Sequence, residues 1–453
     1  MEYKDLKPYI LVYEAGQSNS VAATLEAEKL PLKHTLDPVK DILTNLSPTV
    51  LIFCCTNQEL LMFCQLLLVR RPHKILTGHI SADEARNALL SLNSPPIDRL
   101  LTLLNSPYFD TPKIVLPGRL SASCFVSEHR RQVLVDDRKL NELSFGIWWY
   151  DFNDDVVVGA ILVGNALKSC GINPSFERLI YFSSVVRSMH GTGGYHSFRH
   201  VVDVVQLLAW MVSVGVCYPG TSTKLSAEDG MALVLIGFGH DILHPGVSSK
   251  LTGLVNPEWN EKYGKLEKFH SSVYKTVLLN LLPEAHTIIN KVEDLILATD
   301  IEMHFKWLEA PLDNSPTGRV NFMCMLLKLA DVGNCAREFP SSLSQTVLIY
   351  GEMRLERQVR ERFGYPVTIA LVTNENSPKG EVWEELRKNQ SRFVDAIFIP
   401  LLDCISSTQN NAPVNFCELL RVNLNCARER YAESDLASKE FPILDLMFCN
   451  AKY

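Results

Sequence analysis

No apolar run in the 453 residues approaches a membrane span; the longest, Val156–Val163 and Met231–Gly239, fall far short of the roughly 20 residues a crossing helix needs. The 12 cysteines include no Cys-x-x-Cys pair, which removes zinc-ribbon and thioredoxin-type sites. Blocks of like charge are missing too. With a formal net charge of −7 and acids and bases interspersed, the chain offers no electrostatic footprint for nucleic acid or an anionic membrane. No Gly-Lys-Ser/Thr follows Gly191-Thr192-Gly193-Gly194, so that stretch reads as a connector rather than a phosphate loop. The opening MEYKDLKPY lacks a charged-then-apolar targeting pattern. Together with scattered thiols, this leads to the expectation of a cytoplasmic protein in a reducing compartment.

What is present is apolar mass: 47% of the residues are hydrophobic, enough for a large core in two or three domains. In residues 1–130, short β-like runs start at Tyr9 (YILVY), Thr49 (TVLIF), His73 (HKILTG) and Pro112 (PKIVLP), with a helical stretch from Gln58 between them. This alternation predicts a small α/β N-terminal domain with a partly parallel sheet and a regulatory or packing role. Residues 135–440 lose the β-like runs and carry long amphipathic segments, which predicts an all-α catalytic domain; 441–453 reads as a C-terminal tail. Pro245, Pro340, Pro366 and Gly351 are expected near helix ends.

Polar residues stand out within the apolar helical patterns. His196 and His200 are four apart, with Asp203 just beyond, and are expected to share a helical face. His240-Asp241-Ile242-Leu243-His244 follows the very apolar MALVLIGFG, and Asp331 ends MLLKLAD. Glu267 and His270 lie in LEKFH. A carboxylate in such surroundings is costly unless paired or bound to a metal. A lone histidine on an apolar helix is usually a satisfied core group, but His, His-Asp and Asp on separate segments together suit a borderline divalent cation.

In order and spacing, these residues resemble the catalytic domain of class I cyclic-nucleotide phosphodiesterases, within the His-Asp phosphohydrolases. YHSFRHVVDV from Tyr195, HDILHPGVSS from His240, LEKFH from Leu266, ATDIEMH from Ala298, ADVGN from Ala330 and QSRF from Gln390 follow that family's sequence of motifs. The divergent N-terminal region looks most like that of fungal high-affinity cAMP phosphodiesterases. The resemblance implies that His200, His240, Asp241 and Asp331 hold a tight Zn²⁺. It implies that Asp241 also reaches a second ion, Mg²⁺ or Mn²⁺, held mainly through waters. His244, Glu267 and Thr299 would surround those waters, and His196 would be the general acid. Tyr195, Asn334, Ile349, Gln390 and Phe393 would meet the substrate, with Gln390 on the purine edge and Ile349 and Phe393 on its faces.

The implied reaction is hydrolysis of 3′,5′-cyclic AMP, or also cGMP, to the 5′-monophosphate by water activated between two metals. The implied partners are this small cyclic nucleotide and a second copy of the chain as a homodimer. Three positions depart from the family pattern: Ser197 and Ser249 stand where it has Asn, and Gly333 where it has Ser. None is an implied ligand. The competing readings are another His-Asp nucleotide phosphohydrolase and a non-catalytic cyclic-nucleotide sensor.

Overall fold

The computed structural model describes residues 121–433 except 148–149, 152, 192–193, 368–370, 372 and 374–376, and before them 9–13, 31–35, 41–42, 44, 49–53, 73–77, 85 and 96–105. Strands β1 (Tyr9–Tyr13), β2 (Leu32–Thr35), β3 (Thr49–Phe53) and β4 (His73–Thr77) form a sheet of order β2-β1-β3-β4. Every pairing is parallel. Ile10, Leu11 and Val12 of β1 and Val50, Leu51 and Ile52 of β3 are fully buried, the continuous apolar run that central parallel strands carry.

The runs from Tyr9, Thr49 and His73 are the expected strands. The short edge strand β2, Leu-Lys-His-Thr with Lys33 exposed, was not expected, because an edge strand buries little and shows little apolar signal. The PKIVLP run, the helix from Gln58 and residues 441–453 lie outside the described residues.

The remainder is helical. Helices α1 (Pro96–Leu104), α2 (Glu128–Val135), α3 (Asp154–Ser169), α4 (Phe176–Ser188), α5 (Phe198–Val214) and α6 (Ala227–Gly237) come first. Then come α7 (Ser249–Val255), α8 (Pro257–Lys262), α9 (Leu266–Leu281), α10 (Ile289–Leu297), α11 (His304–Leu308) and α12 (Pro316–Asp331). The last four are α13 (Phe339–Phe363), α14 (Lys379–Phe393), α15 (Ile399–Ser406) and α16 (Phe416–Glu433). Thus an all-α domain follows a small α/β one. Helix α1 is fastened to the later helices: the Asn256 side chain donates to Leu104 O at 2.7 Å, and Arg362 pairs with Asp98 at 2.9 Å.

Helix α3 is central. Its residues Val156 through Val163 are all buried, as a helix apolar on every side must be, and each fully buried Val or Leu contributes roughly 1.5–3 kcal/mol. Its first turn begins with Asp154 and Asp155, placed where the helix dipole favours negative charge. Asp154 pairs with Arg130 of α2 at 2.5 Å, and Asp155 with Arg199 of α5 at 3.1 Å. Helix α12 starts on Ser315, whose hydroxyl accepts from Gly318 N at 3.0 Å, with Pro316 in the first turn, and it ends on Asp331.

Three local expectations are corrected. Helix α5 begins at Phe198, so His196 precedes it and does not share a helical face with His200. Helix α6 stops at Gly237, and His240 through Leu243 lie on turns beyond it. Gly351 sits inside α13, not near its end.

Asp203 does not join the histidines. Arg337, fully buried, reaches its carboxylate at 3.2 Å and its carbonyl at 2.7 Å, and the Gln345 amide adds a third contact at 3.2 Å. This clamp ties α5 to the segment after α12 and to α13. Arg337→Met, which leaves the Asp203 charge buried without its partner, is expected to destabilise the fold by about 3–5 kcal/mol in urea unfolding.

Candidate metal centre and its acid

Three segments deliver four ligand-type side chains to one place. His200 comes from the first turn of α5, His240 and Asp241 from the turns after α6, and Asp331 from the last position of α12. His200 Nε2 lies 3.1 Å from Asp331 Oδ1 and 3.5 Å from Asp241 Oδ2, while His240 Nε2 lies 3.3 Å from each carboxylate. All four donor atoms fall within 4.8 Å of one another.

His240 Nδ1 donates to Gly237 O at 2.8 Å, so its Nε2 is the nitrogen that faces the carboxylates. Burial pulls the His240 imidazolium down, but Asp241 and Asp331 outweigh it and hold the group well above the usual histidine range. Burial likewise pushes Asp331 and Asp241 up, and the histidines override it and keep both carboxyls ionised. Asp241 Oδ2 is buried and has no hydrogen-bond partner. Two imidazole nitrogens and two carboxylate oxygens so placed fit a borderline divalent cation.

The backbone is bent to this purpose. Leu243 has φ +61°, a left-handed conformation costing a leucine roughly 1–2 kcal/mol, and it redirects the chain between Asp241 and His244. His244 Nδ1 accepts from Gly246 N at 3.0 Å, and its ring stacks on that of His196 at 3.7 Å between centroids. Glu267, at the start of α9, is raised to about 7 by burial and then by nearby Asp300. The Thr299 hydroxyl donates to Ile296 O at 2.8 Å. Tyr195, expected at the substrate, is only 5% exposed; its ring lies 4.4 Å from that of His200 and its hydroxyl donates to Asp331 O at 3.3 Å. These contacts tie it to His200 and Asp331.

His196 has a partner that the motifs did not reveal. Glu352 of α13 accepts from His196 N at 3.1 Å through one carboxylate oxygen and from His196 Nδ1 at 2.5 Å through the other. Burial pulls this imidazolium down, but Glu352 wins and raises it to about 9. At neutral pH His196 is therefore charged, with Nδ1–H committed and Nε2–H left to donate. Gly194 belongs to this pair: a Cβ there would overlap the Glu352 carboxylate, so the supposed connector is a close-approach position.

Sequence reasoning also passed over one other group, Lys328. Lys328, fully buried, donates to the carbonyls of Ala298, Thr299 and Asp300 at 3.1, 3.3 and 2.9 Å and so holds the segment bearing Thr299. His270 donates from Nδ1 to Ile242 O at 2.6 Å and turns a buried, unpartnered Nε2 toward Asp241 and His244.

Asn334 is buried in the short turn after α12, Ile349 lies on α13, and Gln390 and Phe393 lie on α14, which packs against α13. The Gln390 amide nitrogen is buried and has no hydrogen-bond partner. Residues 374–376 of the polar stretch before α14 lie outside the described residues. Gly333, where the resembled pattern has Ser, lies so close to Leu207 of α5 that a Cβ would meet its Cδ2 at 2.6 Å.

With this geometry in view, residues 195–417 match the 3′5′-cyclic nucleotide phosphodiesterase family. Over this segment the chain is similar to the class I cyclic-nucleotide phosphodiesterases. The chain is 25% identical over 178 residues to 3′,5′-cyclic-nucleotide phosphodiesterase 2 of Saccharomyces cerevisiae, covering 38% of this chain and 32% of that protein. It is 24% identical over 232 residues to cGMP-specific 3′,5′-cGMP phosphodiesterase 3 of Dictyostelium discoideum, covering 46% and 48% respectively. The matches thus span about a third to a half of those relatives' length. In fold, the crystal structure of yeast caPDE2 in complex with IBMX superposes with a TM-score of 0.66 at 15% identity, over 93% of this chain and 99% of that one.

Two outcomes follow from the site. Asp331→Ala is expected to reduce bound divalent metal, measured by elemental analysis of the purified protein against the parent; full retention would remove Asp331 from the ligand set. His196, raised from 6.5 to about 9, stabilises the fold fully below pH 6.5 and loses that contribution as pH rises through about 9. Glu352→Gln is therefore expected to cost stability at pH 6 and little at pH 10, read from paired unfolding curves.

Proposed function

We propose that this chain hydrolyses a 3′,5′-cyclic nucleotide, cAMP first, to the 5′-monophosphate. The observation that carries the reading is a four-ligand cluster of His200, His240, Asp241 and Asp331 beside a histidine that Glu352 keeps protonated. The ligand chemistry supports Zn²⁺ on these four residues and Mg²⁺ or Mn²⁺ shared through Asp241, with His244, Glu267 and Thr299 around the second ion. When bound, the two ions supply charge neutralisation of the phosphate and a lowered pKa for water.

The chain's own residues supply the rest. Water provides the oxygen of the new P–O bond and releases one proton to solvent, from which His196 is later recharged, and the P–O3′ bond breaks with its electron pair on O3′. His196 Nε2 gives its proton to that oxygen while Glu352 retains Nδ1–H and steadies the ring. Gln390 on α14, the counterpart of the late glutamine in the resembled motifs, is read as the group that hydrogen-bonds a purine edge. Ile349 and Phe393 then cover the faces of the base, with Asn334 alongside. Action in the cytoplasm agrees with free thiols at every described cysteine and with the absence, among the described residues, of a helix long and apolar enough to cross a membrane. Self-association into a homodimer completes the reading and is read by light scattering.

The deciding experiment measures turnover of cAMP, cGMP, deoxynucleoside triphosphates and nucleoside monophosphates with defined Zn²⁺ and Mg²⁺. Cyclic-nucleotide hydrolysis alone is expected. Turnover confined to the non-cyclic substrates, or stoichiometric cAMP binding without hydrolysis, would overturn the reading. His196→Ala is expected to keep its zinc and lose about 10²–10⁴-fold in kcat; undiminished kcat would remove His196 as the acid.

A further inference from the structure

Helix α13 carries a second carboxylate one turn beyond Glu352. Glu356 is 6% exposed. It accepts from Ser248 N at 2.7 Å and from the Ser248 hydroxyl at 2.6 Å. Arg360, 3% exposed, donates to it from Nε at 2.9 Å and from Nη2 at 2.7 Å, and ties the helix end to Pro366 O at 2.9 Å. The Ser248 hydroxyl in turn accepts from Leu251 N at 3.3 Å, starting α7.

A buried carboxylate with four charge-assisted or backbone bonds holds its partner in one geometry. What it holds is the far end of the segment His244-Pro245-Gly246-Val247-Ser248. The near end is His244, whose Nδ1 accepts from Gly246 N at 3.0 Å. That bond commits neutral His244 to the tautomer with its proton on Nε2, so the ring presents a donor and not a lone pair. The tautomer therefore depends on where the Gly246 amide points, and Glu356 pins that backbone two residues later.

We propose that Glu356 is a positioning residue, acting through Ser248 and the Gly246 amide to fix the tautomer and orientation of His244. Glu352 and Glu356 thereby set the two stacked histidines, His196 and His244, from one helix.

The test uses the full chain loaded with Zn²⁺ and Mg²⁺ and labelled with ¹⁵N-histidine, with His244 assigned from a His244→Gln sample. The parent is expected to show His244 as a single Nε2–H tautomer. Glu356→Ala is expected to show averaged tautomers and to lose roughly 10–100-fold in kcat with KM within about threefold, the size seen when ligand-orienting partners are removed. Glu356→Gln, which keeps an acceptor for Ser248 N, is expected to be about tenfold faster than Glu356→Ala. Ser248→Ala leaves the Glu356–Arg360 pair intact and so serves if Glu356→Ala fails to fold; it is expected to shift the His244 signals in the same direction. Unchanged His244 signals in the folded Glu356→Ala protein, or in Ser248→Ala where that protein does not fold, would overturn the assignment. Only the kinetic arm rests on the proposed hydrolysis, so a protein inactive on cyclic nucleotides whose His244 tautomer still follows Glu356 would defeat the function and leave the positioning role standing.

Discussion

Two carboxylates brought together out of water repel each other and lose solvation, and neither cost is recovered without positive charge between them. Asp241 and Asp331 are in that position, with His200 and His240 completing a cluster no wider than 4.8 Å. Much of the surrounding structure answers to this constraint. Helices α3, α5, α6 and α12 form an apolar backing that keeps the four side chains from relaxing apart. The strained turn at Leu243 and the Asp203–Arg337 clamp then set where the ligand-bearing segments stop and start.

Helix α13 serves as a common ruler for the site. Over 25 residues it sets Glu352 on His196 and the Glu356–Arg360 pair on the loop after His244. Because one element sets both, His196 and His244 keep their spacing even where loops between them differ. The same helix receives α1 of the N-terminal region through the Arg362–Asp98 pair, so the α/β unit packs on the element that organises the chemistry.

The ligand cluster was legible in the sequence because His200, His240, Asp241 and Asp331 interrupt apolar patterns, and polarity in such surroundings calls for a partner. Glu352 was not legible. It lies in YGEMRLERQVRERF, where alternating acids and bases look like a solvated face, and only the fold shows that Glu352, Glu356 and Arg360 turn inward. Asp203 misled for the complementary reason: it follows the histidines closely in sequence, but its partner Arg337 is 134 residues away. Helix ends were blurred where apolar character outlasted the helix, as at Phe238, which is buried beyond the last residue of α6. The central strands were readable from their apolar runs, whereas β2 buries too little to leave one.

The Gly333–Leu207 contact makes two distant positions depend on each other. A serine at 333 would bring its Cβ to 2.6 Å from the Leu207 Cδ2 methyl, so it requires that leucine to turn to another rotamer or give way to a smaller residue. The side chain at 207 therefore bears on which residues position 333 accepts.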